Sequence, residues 1–235
     1  MITIAIDTAL EACSLAILRD GQGVFDKFLE ISRGHAEVLP VMAAEALEKS
    51  GITSRDVTNI VVTVGPGAFA GIRVGLAFAK GFAAGAGASL QGVTSLAAIA
   101  ATAARRVPKD PPFDQIAVLI DARRGEHYGA LFASNLTPLV EPFLAPSADA
   151  FERLAANGQA GKTLFAGTVP SEAEIPKAWP QGWEAMPDCR LADPVAIAEM
   201  PTIYPKALVS AAPVYIRPPD AKPGTPSPLA ALFEA

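Results

Sequence analysis

Two stretches of this sequence, half a chain apart, follow one plan, and that constrains the fold more than any other feature. Ile2-Thr3-Ile4-Ala5-Ile6 is an apolar run that stops at Asp7. Ile116-Ala117-Val118-Leu119-Ile120 is another that stops at Asp121, 114 positions later in a chain of 235 residues. Runs of this length and character read as buried strands. Each is followed by a short polar turn and a second strand, at residues 13–18 in the first half and 128–133 in the second. A repeat with so long a period points to a duplicated domain rather than a solenoid. The plainer alternative is that two buried strands both happen to end at an acid.

The first half reads clearly. Asp20-Gly21 supplies the positive-φ geometry of a tight hairpin, so residues 24–31 complete a three-stranded meander. Val38, Leu39, Met42, Ala46 and Leu47 have helical spacing, which predicts a helix over 35–49 ended by Gly51. Residues 60–64 form a β-branched strand, Gly65-Pro66-Gly67 breaks it, and a helix follows over 71–84. Residues 89–93 are ambiguous, and Thr94-Ser95 caps a helix running to Arg106. Pro108, Pro111 and Pro112 mark a break. Beyond Pro138 the signals thin: a helix over 151–156, a strand over 162–166, and a helix over 194–200 capped by Asp193. Residues 213–228 hold six prolines and read as an irregular tail. The expected division is an N-terminal lobe (1–107), a C-terminal lobe (113–212) and a terminal segment (213–235).

Composition removes several classes of function. Hydrophobic residues make up 51% of the chain; 46 of them are alanines, and the larger apolar residues still suffice for a core. A net charge of −5 argues against nonspecific nucleic-acid binding, which draws on Lys and Arg at the phosphates. Cys13 and Cys189 are too few for a disulfide scaffold or a four-cysteine zinc site, so a reducing, cytoplasmic setting is expected. Residues 1–20 carry three acids and no basic leader. The uncharged stretch 81–104 is rich in Ala and Gly, and a buried helix–strand–helix fits it better than a membrane span.

The chemistry-bearing residues are sparse. His35 and His127 are the only histidines, in different halves, without a metal-binding spacing or a catalytic-triad context. His35 reads as a surface or capping residue at a helix start. The loop Gly65–Gly71 departs from both the P-loop and the dinucleotide fingerprint, and its glycines read as setting a tight turn. Asp7, Thr8 and Asp121 are the candidates for a nucleotide cleft, because acids ending the first strand of each half can face one another and hold Mg²⁺ through water. The helix over 71–84 has Gly71, Gly75, Ala79 and Ala83 every four residues. Each glycine costs about 1 kcal/mol relative to alanine, so close packing must offset it. The approaching group is either part of this domain or a helix of another subunit.

Taken together, Ala5-Ile6-Asp7-Thr8 with Glu11–Ala16, His35-Ala36-Glu37 with Leu39-Pro40, Val64–Ala77, Gly92–Ala97, Asp121–Glu126 and Pro213–Arg217 resemble the bacterial TsaB (YeaZ) family. The likeness is strong over residues 1–130. It implies an α/β, actin-like ATPase fold of two ribonuclease-H-like lobes with mixed sheets flanked by helices. It further implies a non-catalytic paralogue of TsaD, the enzyme that places threonylcarbamoyl on adenosine 37 of tRNA. TsaD carries a metal-binding His-x-x-x-His where this chain has Thr94-Ser95-Leu96-Ala97-Ala98, so the older peptidase label has no ligands here.

The resemblance implies pairing with TsaD, or with a second copy when alone, through the two N-lobe helices. His35, Val38, Leu39, Met42, Gly71, Val74, Gly75, Phe78, Ala79 and Phe82 are the implied interface. Gly75→Leu is then expected to abolish TsaD pairing while leaving the chain folded. TsaE is implied through the complex, tRNA only indirectly, and no membrane. Ala9, Leu10, Ala68 and Ala70 stand where the family has small hydroxyl residues. No tightly bound cofactor is therefore expected, with Mg-ATP or ADP at Asp7 and Asp121, as in a kinase or ATPase, the alternative. A metalloprotease ranks last.

Overall fold

A computed structural model describes residues 1–108, 113–158, 161–168 and 179–217. The proline break at 111–112 and the tail beyond 217 lie outside them. In the first half, β1 (Ile2–Asp7), β2 (Ala12–Arg19) and β3 (Gln22–Glu30) form the expected antiparallel meander. Asp20 and Gly21 take φ of 51° and 82° in the tight turn between β2 and β3. Helix α1 (His35–Ser50) ends at Gly51, whose φ of 62° lets its N–H reach back to Glu48 and Leu47. Then come β4 (Asn59–Thr63), α2 (Phe69–Ala86), β5 (Ser89–Val93) and α3 (Ser95–Arg106), with the Thr94 hydroxyl accepting from Ala97 N at the α3 start.

The second half opens in the same order. Strands β6 (Gln115–Asp121), β7 (Glu126–Ala133) and β8 (Pro138–Pro146) form a meander, followed by α4 (Ser147–Asn157), β9 (Thr163–Gly167) and β10 (Trp183–Ala185). The sheet orders match position for position: β3-β2-β1-β4-β5 and β8-β7-β6-β9-β10, with the last two strands parallel to the first in each. Asp7 and Asp121 therefore end equivalent central strands.

The boundary expected at residue 212 needs correction. Helix α5 (Pro194–Ile203), capped by Asp193, packs on β1, β2 and β3, and β11 (Leu208–Val209) pairs with β5. Helix α5 thus covers the first sheet and β11 extends it. Reciprocally, α3 from the first half packs on β6, β7 and β9. The result is a five-layer stack in which α3 and α5 lie between the two sheets, α1 and α2 cover one outer face, and α4 covers the other. Because β1 is sandwiched, Ile4 and Ile6 enter the α1–α2 core while Ala5 enters the central one.

This stack accounts for the uncharged stretch. Every residue of α3 from Ser95 to Ala103 is buried, and its alanines let it pack closely between the second sheet and α5. Helix α2 has the length and apolarity of a membrane span, but one of its faces is packed on β4.

Candidate functional site

The glycine face of α2 turns inward. A Cβ added at Gly71 would lie 2.0 Å from the Thr8 carbonyl oxygen, and one at Gly75 would lie 2.4 Å from Thr8 Oγ1. Thr8 itself donates a 2.8 Å hydrogen bond to the Gly71 carbonyl. The groove of small residues thus receives Thr8 at the end of β1, from the same chain. Gly71, Gly75 and Ala79 are buried there, as are His35, Leu39 and Met42 of α1. These six residues belong to the subunit's own packing and not to an exposed interface.

What α1 and α2 leave open is a different strip. Val38, Val74, Phe78 and Phe82 are half-buried, and Val41, which sequence reasoning passed over, is 67% exposed. Ala77 and Gly81 lie on the exposed side of α2, and an added Cβ at Gly81 or Gly85 would meet nothing within 4 Å. The α2 glycines therefore divide into two sets with opposite purposes. At the start of α2, the Arg73 guanidinium lies 3.7 Å over the exposed Phe69 ring and donates to the Tyr215 hydroxyl at 3.2 Å.

The three cleft candidates also part company. Asp7 is fully buried. Its Oδ1 accepts from the Thr63 hydroxyl at 2.6 Å and from Ala9 N at 2.9 Å, while Oδ2 has no partner. Burial pushes the Asp7 carboxyl above the usual aspartate range, only partly offset by the Thr63 and Ala9 hydrogen bonds and by nearby His35. His35 opens α1 as expected, yet it is buried, with Nε2 unpartnered, and not a surface residue. Above them the 65–71 loop seats directly on the β1–β2 turn. Ala68 N donates to the Ala9 carbonyl at 2.7 Å, and a Cβ at Gly67 would lie 2.1 Å from that same oxygen.

A phosphate cradle needs free backbone N–H groups and room for close approach. Here the loop approaches its own chain instead. Asp7 and Thr8 are sealed beneath it, out of reach of the open cleft. These residues do not fit Mg²⁺-nucleotide.

Asp121 alone of the three lines open space, an interlobe cleft of about 440 Å³ shared with Glu11, Gly67, Arg123, Thr168 and Arg217. Its Oδ1 accepts from Arg123 N at 2.7 Å. An ion network crosses the cleft mouth: Glu11 pairs with Arg123 and Arg190, Arg190 with Glu30, and Arg217 with Glu126 and the Ala122 carbonyl. Arg217 stands in the Pro213–Arg217 motif, so the signal for it was present in the sequence, but none marked its partners. Cys13 and Cys189 are both buried free thiols, and burial, with Asp7 adding to it, pushes Cys13 up to about 11.

A family model described as TsaD, tRNA N6-adenosine threonylcarbamoyltransferase, matches residues 26–186 of this chain. Escherichia coli TsaB, a tRNA threonylcarbamoyladenosine biosynthesis protein, is 37% identical over 127 residues, which cover 54% of this chain and 53% of that protein. YeaZ from Pseudomonas aeruginosa superposes with a TM-score of 0.75 at 26% identity, over 91% of this chain and 99% of that one. The chain belongs to the TsaB (YeaZ) branch of the TsaD family. It spans about half the length of the TsaB relatives it matches.

The fold shared within this family extends further. Component A of (R)-2-hydroxyglutaryl-CoA dehydratase from Acidaminococcus fermentans superposes at a TM-score of 0.53 and 13% identity, over 88% of this chain and 99% of that one, which is likeness of fold. The paired sheets, each ordered 3-2-1-4-5, are the two ribonuclease-H-like lobes of the actin-like ATPase architecture.

Proposed function

We propose that this TsaB-family chain is a non-catalytic subunit in the formation of threonylcarbamoyladenosine (t6A) at adenosine 37 of tRNA, and that it works by holding TsaD. The observation that carries the reading is the strip Val38, Val41, Val74, Ala77, Phe78, Phe82, which is exposed at Val41 and Ala77 and half-exposed elsewhere, while the opposite sides of both helices are packed against the chain's own sheet. Two parallel apolar ridges beside an exposed glycine suit the approach of a helix pair. A second copy uses the same strip when TsaD is absent. TsaE and tRNA engage the assembly through TsaD, and this chain keeps no tightly bound nucleotide. The closed seat of the 65–71 loop on the β1–β2 turn supports that last statement.

Val41→Asp together with Ala77→Asp, both at exposed positions, tests the surface. Co-elution with TsaD and self-association should both fall by at least about 100-fold, since a buried unpaired charge costs several kcal/mol. The melting temperature of the isolated chain should hold. Undiminished pairing sinks the assignment. Calorimetric titration with Mg-ATP tests the other part: low-micromolar binding with turnover would favour the actin-like ATPase or kinase reading built on Asp7 and Asp121.

A further inference from the structure

The outermost strands of the two sheets occupy equivalent places and are finished differently. Strand β8 carries Pro138, Pro142 and Pro146 within nine residues. Proline cannot donate to a further strand, and this is one way proteins close a sheet edge. Strand β3 has no proline and is the terminal strand of the first sheet among the described residues. Along such an edge, alternate backbone N–H and C=O groups point outward unpaired. Val24, Phe28 and Leu29 are exposed on it, Phe28 at 41%.

Beside β3, on the α5 side of the sheet, runs a groove of about 430 Å³. Asp26, Phe28 and Glu30 form one wall, and Pro187, Asp188 and Leu191 line the other. The bases of the groove are already engaged. Arg190 pairs with Glu30 and Glu11, and Arg106 donates to the Asp188 carbonyl at 2.5 Å. Lys27 is turned to the other face of the sheet, 2.5 Å from Glu45 of α1. The carboxylates of Asp26 and Asp188 have no hydrogen-bond or ion-pair partner among the described residues.

We propose that β3 and this groove receive an extended, basic peptide segment of a partner protein, added to the sheet as a further strand. Backbone hydrogen bonds along the free edge give the segment its register, an apolar side chain rests on Phe28 and Leu191, and Lys or Arg residues meet Asp26 and Asp188. Charge decides between this occupant and a second copy. Pairing β3 with itself would set Asp26 and Glu30 among like charges, which destabilises cross-strand pairs, whereas a basic strand is matched. The groove lies on the opposite face of the sheet from the α1–α2 strip, so this inference stands apart from the TsaD assignment.

The test is fluorescence anisotropy on the full chain with a labelled synthetic heptapeptide, Lys-Thr-Val-Thr-Lys-Thr-Lys, which sets its lysines and its valine on one face of a strand. It is compared with its all-Glu counterpart and with a version N-methylated at alternate amides. The basic peptide should bind, and slow amide exchange along β3. Affinity should drop at least about tenfold with Asp26→Lys plus Asp188→Lys, and similarly on N-methylation. Both substitutions are at the surface, so the melting temperature should be kept. Absence of binding, equal binding of the acidic peptide, or full binding of the N-methylated peptide would each overturn the proposal, the last by showing adsorption without strand addition.

Discussion

Asp7 and Asp121 end matching strands in matching sheets, yet one is sealed and the other lines a cleft. The strands that carry them are alike in burial until the last residue. The difference lies in what sits on top. Over Asp7, a glycine-rich loop and the start of a helix close in until Thr8 fills the groove between Gly71 and Gly75. Asp121 instead opens on the interlobe space, with Arg123, Thr168 and Arg217 around it. Duplicating a topology does not duplicate a chemical environment, because the environment is set by the loops laid over the strand ends.

The comparison can be broken most severely at its packing. Gly75→Leu should leave little folded chain, in contrast to the stable variant that an exposed glycine face would allow. Gly71→Ala places a Cβ 2.0 Å from a carbonyl oxygen and should cost about 3 kcal/mol or more in urea denaturation. An unchanged midpoint for Gly71→Ala would mean that the loop and β1 are not in contact.

Next in size is the buried acid. Its folded-state pKa is raised, so the stability tied to its protonated form is present at low pH and is lost as pH rises through that pKa. Asp7→Asn keeps an Oδ1 acceptor for Thr63 and Ala9 but cannot ionise. Its stability relative to the parent should therefore grow between pH 4 and pH 8, by about 1.4 kcal/mol per unit of raised pKa. A difference that stays flat with pH would show Asp7 to be solvated. Asp121→Asn, on the exposed member of the pair, should shift stability by no more than about 0.5 kcal/mol.

One effect of similar modest size has the opposite sign to the first. Gly81→Ala adds a methyl group to open space on a helix and should stabilise the isolated chain by about 0.5–1 kcal/mol. A loss there would show the outward strip to be occupied within the subunit.

Most of the local structure was legible because local chemistry fixes it. Asp20-Gly21 specifies its hairpin, Gly51 its helix end, Thr94 and Asp193 their caps, and the apolar runs and helical spacings do the rest. Strand β8 was obscured by its prolines, which an edge strand tolerates. The return of α5 and β11 to the first sheet had no local signal, since an apolar helix does not state which sheet it will cover. The glycine stripe showed the same limit in the site itself. Small residues every four positions announce that something comes close, but Thr8 of the same chain and a helix of a partner satisfy that pattern equally well.

The crossing of α3 and α5 between sheets also has a consequence in time. About a hundred residues separate β5 from α5, which a ribosome adding about 5–20 residues per second takes roughly 5–20 s to make. Throughout that interval the inner face of β1 and β2 has no helix to lie against. The earliest-made lobe is thus the last to be completed, and a nascent chain paused anywhere before Pro194 presents bare strands to whatever chaperone or neighbour is at hand.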